Sequence, residues 1–235
     1  MIWAVSTVSG RYKLKPDPHS SHSIVLEWLG EGNGRRLLDV GAADGLLSRH
    51  FTEQGWYVTA IEREPAVASV GAAYCERMLM TDLDRELPEI DGLFDVIVYA
   101  DVLEHLVDPL RVMTALNRML ARGGLVVISI PNIAHLWIRL SLLMGRFEYT
   151  DRGLLDRTHL RFFTYRSLRS LITDAGLCIV RETATPVPIY QVMPAWCHGR
   201  WLAAFHRLSS MAARLLPRLL GYQFVVLARR EQDES

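Results

Sequence analysis

The stretch from Leu37 to Gly45, LLDVGAADG, leaves a chain few ways to fold. An apolar run stops at Asp39, a turn of small residues follows, and a helix-forming segment, Leu46 to Gln54, begins behind it. In a strand–turn–helix of this kind the small residues let the backbone approach a ligand, and the helix N-terminus offers unpaired N–H groups. The turn is not GxGxxG: Ala43 stands in one glycine position, and Gly45 closes a GxxxG. It also lacks the Lys-Ser/Thr pair of a P-loop, so it is not expected to cradle phosphates.

The alternation continues along the chain. Strand-like runs fall at Arg36 to Val40, Tyr57 to Glu62, Arg77 to Met80, Phe94 to Ala100, Leu125 to Ile130, Leu177 to Thr183 and Tyr222 to Arg229. Helical spacing falls at Ser21 to Leu29, Leu46 to Gln54, Pro65 to Ala73, Pro109 to Leu120, Ile133 to Met144, Thr164 to Ala175 and Trp201 to Leu216. Residues 1 to about 20 read as irregular, with Pro16 and Pro18 as breakers. The run FDVIVYA has no polar alternation, the pattern of a strand buried on both faces. Strands alternating with helices imply βαβ units and a parallel sheet. Such sheets bind ligands beyond the carboxyl ends of their strands, where the strand order reverses. Attention therefore falls on Asp39, Glu62, Asp82, Ala100-Asp101 and Pro131-Asn132. Glu62 follows Asp39 by about 20 residues, where an acidic side chain can accept from both hydroxyls of a ribose.

Charge and cysteine content exclude several classes. Lysines and arginines balance aspartates and glutamates, which argues against a nucleic-acid partner. Cys75, Cys178 and Cys197 form neither a CxxC pair nor a disulfide framework, so a cytoplasmic location is expected. The apolar start MIWAVSTVSGRYK is too short for a signal peptide. Gly124 to Met144 is interrupted by Pro131, Asn132, His135 and Arg139, which fits a strand and a helix better than a membrane span.

LLDVGAADG, VTAIERE, MTDLD and FDVIVYADVLEHLVDP occur in this order. Together they resemble the class I S-adenosylmethionine-dependent methyltransferases, closely over roughly Arg35 to Ile130 and more loosely elsewhere. VLEHL after the DVI strand is the most specific piece, and most members carry glycine where Ala43 stands. The resemblance implies a three-layer α/β/α, doubly wound, Rossmann-like fold with a seven-stranded, mostly parallel sheet and one antiparallel edge strand. It implies an N-terminal segment and helix over 1–34 and a methyltransferase domain over 35–235. Within that domain, 131–165 would be a substrate-covering insertion and 186–220 a C-terminal helical segment.

The resemblance also implies S-adenosyl-L-methionine as cofactor, with S-adenosyl-L-homocysteine as product. Gly41, Ala42, Ala43 and Gly45 would line its amino-acid and ribose portions, and Asp39 would orient its ammonium. Glu62 would bind the ribose hydroxyls and Arg63 would flank the adenine. Asp82 would accept from the adenine amino group, with Leu83 against the ring. Ala100 and Asp101 would lie near the methionine end, with Glu104 and His105 behind. Read on its own, Asp101 would instead cap the turn that follows it.

A second cluster, YTDRGLLDRTHLRFFT (Tyr149 to Thr164), packs titratable groups between two helices. With PNIAHL and GRF before it, it resembles a bacterial subgroup of polysaccharide and ubiquinone-type O-methyltransferases, and also the MetW proteins of methionine biosynthesis. His159 is the candidate general base and Asp156 the residue that orients it or the substrate. The alternative is that Asp156 to His159 only fix their loop, with His135 as a less favoured base. No metal site is expected. The implied activity is O-methylation of a small molecule or of a glycan, nucleotide-sugar or lipid-linked acceptor. Other readings are a ubiquinone-type phenol O-methyltransferase, a non-catalytic cofactor-binding accessory protein and a nicotinamide-dependent oxidoreductase. Arginines gather after the fifth strand, and Arg157 and Arg161 would hold an anionic acceptor. The basic amphipathic stretch 198–218 would either pack its apolar side on the sheet or touch an anionic membrane.

Overall fold

Burial on two sides explains the continuous apolar runs. A computed structural model describes residues 17–231; the expected irregular segment before Asp17 lies outside the described residues. In β1 (Arg36–Val40), Leu38 and Val40 pack into one core and Leu37 into the other. In β4 (Phe94–Ala100), Ile97 and Tyr99 point to the first core, Val96 and Val98 to the second. Side chains alternate across a strand, so a sheet covered on both faces needs apolar residues at every position. Each fully buried Val, Leu or Ile contributes about 1.5–3 kcal/mol.

The helices that cover these faces are amphipathic. On one face lie α4 (Pro109–Leu116), through Val112, Met113 and Leu116, and α6 (Tyr165–Asp174), through Leu168, Leu171 and Ile172. On the other lie α1 (Ser21–Leu29), through Ile24, Val25 and Leu29, and α2 (Leu46–Glu53), through Leu47 and Phe51. Thr164 caps α6 in a reciprocal pairing with Ser167, and Gly176 ends the helix at φ 73°.

The remaining strands are β2 (Tyr57–Glu62), β3 (Arg77–Met80), β5 (Leu120–Pro131), β6 (Leu177–Thr185) and β7 (Gln223–Arg230), with α3 (Pro65–Gly71) between β2 and β3. Their order is β3-β2-β1-β4-β5-β7-β6. Strand order reverses between β1 and β4, which fixes the switch point there. β5 begins earlier than expected, because a register shift between Phe94 and Val96 lets the strand continue past Gly123 and Gly124. β7 is the antiparallel strand and pairs with both β5 and β6, one place in from the edge rather than at it. The reason is burial. Phe224, Val225, Val226 and Ala228 need cover on both sides, whereas β6 carries exposed Arg181 and Glu182 and tolerates the edge.

Two helices extend the frame. α5 (Leu136–Leu143) follows β5 and starts later than the expected Ile133. Its Ile138 packs with Leu154 and Leu155 of the segment 150–163 in a small satellite core. Between β6 and β7 come α7 (Ile189–Val192), α8 (Arg200–Leu215) and α9 (Pro217–Leu220). α8 turns His206, Ser210 and Ala213 inward, so it does not pack its large apolar residues on the sheet.

Candidate functional site

The turn after β1 is held from β2. The Gly41 and Ala42 N–H groups both donate to the Ile61 carbonyl, at 2.9 and 3.0 Å. The Ala43 N–H donates to Glu62 Oε2 at 3.0 Å, and the Gly45 N–H to the Ala42 carbonyl at 2.9 Å. Four of the turn's N–H groups are thus taken internally, so the turn is no anion cradle. Its glycines serve close approach instead. A Cβ on Gly41, at φ 74°, would lie 2.5 Å from Val102 Cγ2, and one on Gly45 would lie 2.7 Å from Gly71 Cα at the end of α3. Gly41 therefore lets the loops after β1 and β4 touch at the switch point, and Gly45 seats α2 against α3. Ala43 has φ 49°, the left-handed region that glycine occupies without cost.

Asp39 is buried beside this turn and accepts from Ser48 Oγ at 2.7 Å. Burial, with the Glu62 charge nearby, pushes its carboxyl up to about 6 against the pull of the Ser48 hydrogen bond. Glu62, at the end of β2, is oriented by two backbone donors, the N–H groups of Ala43 and Glu64. Arg63 is exposed next to it. Beyond β3, Asp82 takes the Asp84 N–H at 3.1 Å and pairs with Arg85 at 3.3 Å. Leu83 is buried, and its carbonyl accepts from Arg111 at 2.5 Å.

Beyond β4, Ala100 is half-buried and Asp101 has φ 54°. The Asp101 carboxylate does not cap the following turn. Its Oδ1 accepts from Ser129 Oγ at 2.7 Å and from Gln223 Nε2 at 3.0 Å, and its Oδ2 lies 3.9 Å from His22 Nε2. Ser129 on β5 and Gln223 on β7 were missed in the sequence because they reach Asp101 only through the pairing of β4 with β5 and of β5 with β7. Strained backbone at both Ala43 and Asp101 marks the switch point as a place the fold holds against local preference.

The segment 150–163 docks here. The N–H groups of Leu160 and Arg161 donate to the Glu104 carbonyl, and the His105 Nδ1–H donates to the Thr158 carbonyl at 3.1 Å. The rings of His105 and His159 stand 4.9 Å apart, edge to face. Burial and the neighbouring His105 hold His159 below the usual imidazole range. Asp156 does not bond the His159 ring in this arrangement. Its Oδ1 takes the Thr158 N–H and hydroxyl at 2.8 and 2.6 Å. Burial raises this carboxyl, but the Thr158 bonds and the two histidines outweigh it, and it sits below the ordinary value.

Glu104 is buried, with no hydrogen-bond partner for Oε2 among the described residues. Burial, then Asp101 and Asp156, drive its carboxyl well above the ordinary range. Glu104, His105 and His159 offer ligand-capable atoms within 4.8 Å of one another, a grouping that the spacing in the sequence did not reveal.

His135 and two of the arginines have other roles. His135 Nδ1 accepts from the Trp137 N–H at the start of α5, which makes this side chain the cap of that helix. Arg157 pairs with Asp151 at 2.9 Å, and Arg161 is held by the Val107 carbonyl. Neither is placed as a free anion ligand. Arg139, Arg166, Arg169 and Arg218 instead line a cavity of about 580 Å³ between α5, α6 and α9.

Residues 19–182 match the family model described as a methyltransferase domain. The chain is 32% identical over 151 residues to the ubiquinone biosynthesis O-methyltransferase of Cereibacter sphaeroides (strain ATCC 17025 / ATH 2.4.3), covering 61% of this chain and 60% of that protein. It is 30% identical over 170 residues to the protein of the same name from Xylella fastidiosa (strain 9a5c), covering 68% of each. The chain thus spans about 60% of the length of the Cereibacter relative. Two solved structures share the fold. The magnesium protoporphyrin IX methyltransferase from Synechocystis PCC 6803 with bound S-adenosylhomocysteine superposes with a TM-score of 0.63 at 16% identity, covering 95% of this chain and 91% of that one. An S-adenosylmethionine-dependent methyltransferase from Mesorhizobium loti gives 0.60 at 17% identity, covering 90% and 98%. Sheet order, switch-point loops and family model agree, and the chain belongs to the class I S-adenosylmethionine-dependent methyltransferases.

Proposed function

We propose that the protein methylates a hydroxyl oxygen of a small-molecule acceptor, with His159 as general base. The site suits a phosphate-free, cationic adenosine derivative. Its turn N–H groups are already bonded, and carboxylates ring the switch point: Asp39, Glu62 and Asp101. Asp39 and Asp101 would attract the ammonium of S-adenosylmethionine, Glu62 its ribose hydroxyls, and Asp82 with Leu83 its adenine. Gly41, Ala42, Ala43 and Gly45 would bring the backbone close. Arg63, Ala100 and His105 would border the bound cofactor. Bound there, the cofactor supplies an electrophilic methyl carbon on a positive sulfur.

The chain's own work is alignment and proton removal. Segment 150–163, bonded to the Glu104 carbonyl, would hold the acceptor against the end of β4. His159, held below the usual imidazole range by burial, would accept the hydroxyl proton at a ring nitrogen. Asp156 would act through the loop, fixing Thr158 and stabilising the imidazolium once formed. The observation that carries this reading is the neutral, half-buried His159 beside His105 at the switch point. An oxygen acceptor is supported by the names of the Cereibacter and Xylella relatives. Phenols and nucleotide sugars are the acceptor classes to try, scored by release of S-adenosylhomocysteine. Cofactor binding by calorimetry without turnover on any class would favour an accessory role.

A second reading is favoured by the unpartnered Glu104 Oε2 beside His105 and His159. A divalent cation held by these three would acidify the acceptor hydroxyl in place of an imidazole base. Stimulation by Mg²⁺, Mn²⁺ or Zn²⁺ and loss of turnover in EDTA would select this reading; turnover unchanged in EDTA selects the base.

A further inference from the structure

α8 is mounted the wrong way round for a core helix. Its inward residues are His206, Ser210 and Ala213, and His206 Nε2–H donates to buried Asp17 Oδ2 at 2.8 Å. Its large apolar residues face outward: Trp201 is 90% exposed, Phe205 61%, Leu208 63%, Met211 57% and Leu215 78%. The spacing i, i+4, i+7, i+10, i+14 places all five on one stripe. Arg200, Arg207 and Arg214, exposed and seven residues apart, run along the flank of that stripe.

The chain is basic along this stretch. From Thr183 to Arg230 the chain contains no aspartate or glutamate. At the C-terminal end of α8 the arginine-lined cavity opens, where Arg139, Arg166, Arg169 and Arg218 outnumber two acids, Asp174 in the lining and Glu182, which pairs with Arg169 at 3.3 Å. Arg139 Nη2 donates to the Arg218 carbonyl at 3.3 Å, which ties α5 to this end. α5 adds exposed Trp137, Leu140 and Leu143.

We propose that α8 lies in the surface of an anionic lipid bilayer, its Trp201–Leu215 stripe among the acyl chains and its arginines at the phosphates. The observations favour this occupant over a second copy of the chain. A two-fold contact through α8 would set one arginine row against another, and α8 itself carries no acid to offset it. An in-plane helix flanked by arginines is the arrangement that binds headgroups without spanning, and no helix among the described residues is long and apolar enough to span. The arginine cavity would receive a headgroup phosphate at the same level. The inference is independent of which acceptor is methylated.

Flotation of the full-length protein with phosphatidylcholine vesicles, with and without 30% phosphatidylglycerol, tests it. Binding should rise at least tenfold with the anionic lipid. Both W201S/F205S/L208S and R207E/R214E should lose at least tenfold, while circular dichroism and thermal melts show each variant folded; these side chains are exposed, so their loss leaves no cavity. Absence of wild-type binding, or equal binding by the wild type and both variants, overturns the proposal. So does a dimer in light scattering that W201S/F205S/L208S abolishes, which would assign the stripe to a protein contact.

Discussion

The imidazole of His105, from the turn after β4, meets the imidazole of His159, from the segment after α5, with ring centroids 4.9 Å apart. The contact exists because the Glu104 carbonyl and the His105 Nδ1–H both bind backbone of the 150–163 segment. One histidine thus sits in the turn that follows β4 and the other in the segment docked on it. If the 150–163 segment brings acceptor and base to the switch point, as proposed, such a coupling would hold them in a fixed place.

His159→Gln should lower kcat about 10²–10⁴-fold while leaving cofactor affinity within about twofold, because general-base catalysis supplies an effect of that size. Single-turnover kinetics with saturating cofactor separates the two quantities. His135→Ala gives the contrast: it removes an N-cap acceptor from α5 and should cost about 1 kcal/mol of stability with little change in the chemical step.

If Asp39 holds the cofactor's ammonium, stability and cofactor binding should respond to pH in opposite ways. Its folded value of about 6 lies above the ordinary 3.8, so the native state keeps a proton that the unfolded chain releases. Its contribution to stability is therefore complete below about pH 4 and is lost as pH rises through 6, a change of about 3 kcal/mol. Asp39→Asn should stabilise the free protein at pH 8 by up to that amount and far less at pH 4, as urea melts would show. The same change should weaken cofactor binding. In the wild type, affinity should fall up to about tenfold between pH 7 and pH 5 as the carboxylate is neutralised. Flat affinity over that range would remove Asp39 from the cofactor's ammonium.

Ala43→Gly should raise stability by up to about 1 kcal/mol. The gain from relieving a left-handed alanine is partly offset by the entropy of the unfolded glycine. If cofactor binding also tightens, the methyl group of Ala43 faces the cofactor; if binding is unchanged, it does not.

Gly41→Ala should cost about 2–4 kcal/mol, combining the left-handed backbone with a methyl group 2.5 Å from Val102 Cγ2. Val102→Ala in the same chain removes the clash and should recover the steric share, leaving about 1 kcal/mol. A double-mutant cycle in thermal melts reads the coupling. Additive losses would mean that the loops after β1 and β4 do not meet through these residues.

Much of this was written in local pattern. The strands β1, β2, β3 and β4 have the expected bounds; in β1, β2 and β4 burial forces a nearly unbroken apolar run, and edge strand β3 was legible from its short apolar stretch alone. Thr164 was legible as a cap and Gly176 as a stop, because capping chemistry is local. The candidate site was legible wherever a residue closes a strand: Asp39, Glu62 and Asp101. What those carboxylates touch was not. Asp101 was open to reading as a turn cap, and its partners Ser129 and Gln223 come from β5 and β7. Arg157 and Arg161 stood out in the sequence by number alone, yet both are occupied by neighbours, while Arg218 joins Arg139, Arg166 and Arg169 from far along the chain.

The sequence by itself determined the alternating elements, the parallel core, the turn that admits no phosphate and the class of cofactor. Period, burial and turn chemistry are properties of neighbours in the chain. Only the tertiary structure decided that β7 inserts beside β5, that His159 comes to His105, and that α8 presents its apolar stripe outward. An amphipathic pattern shows that a helix has two faces; which face the protein covers depends on what the rest of the fold has left to bury.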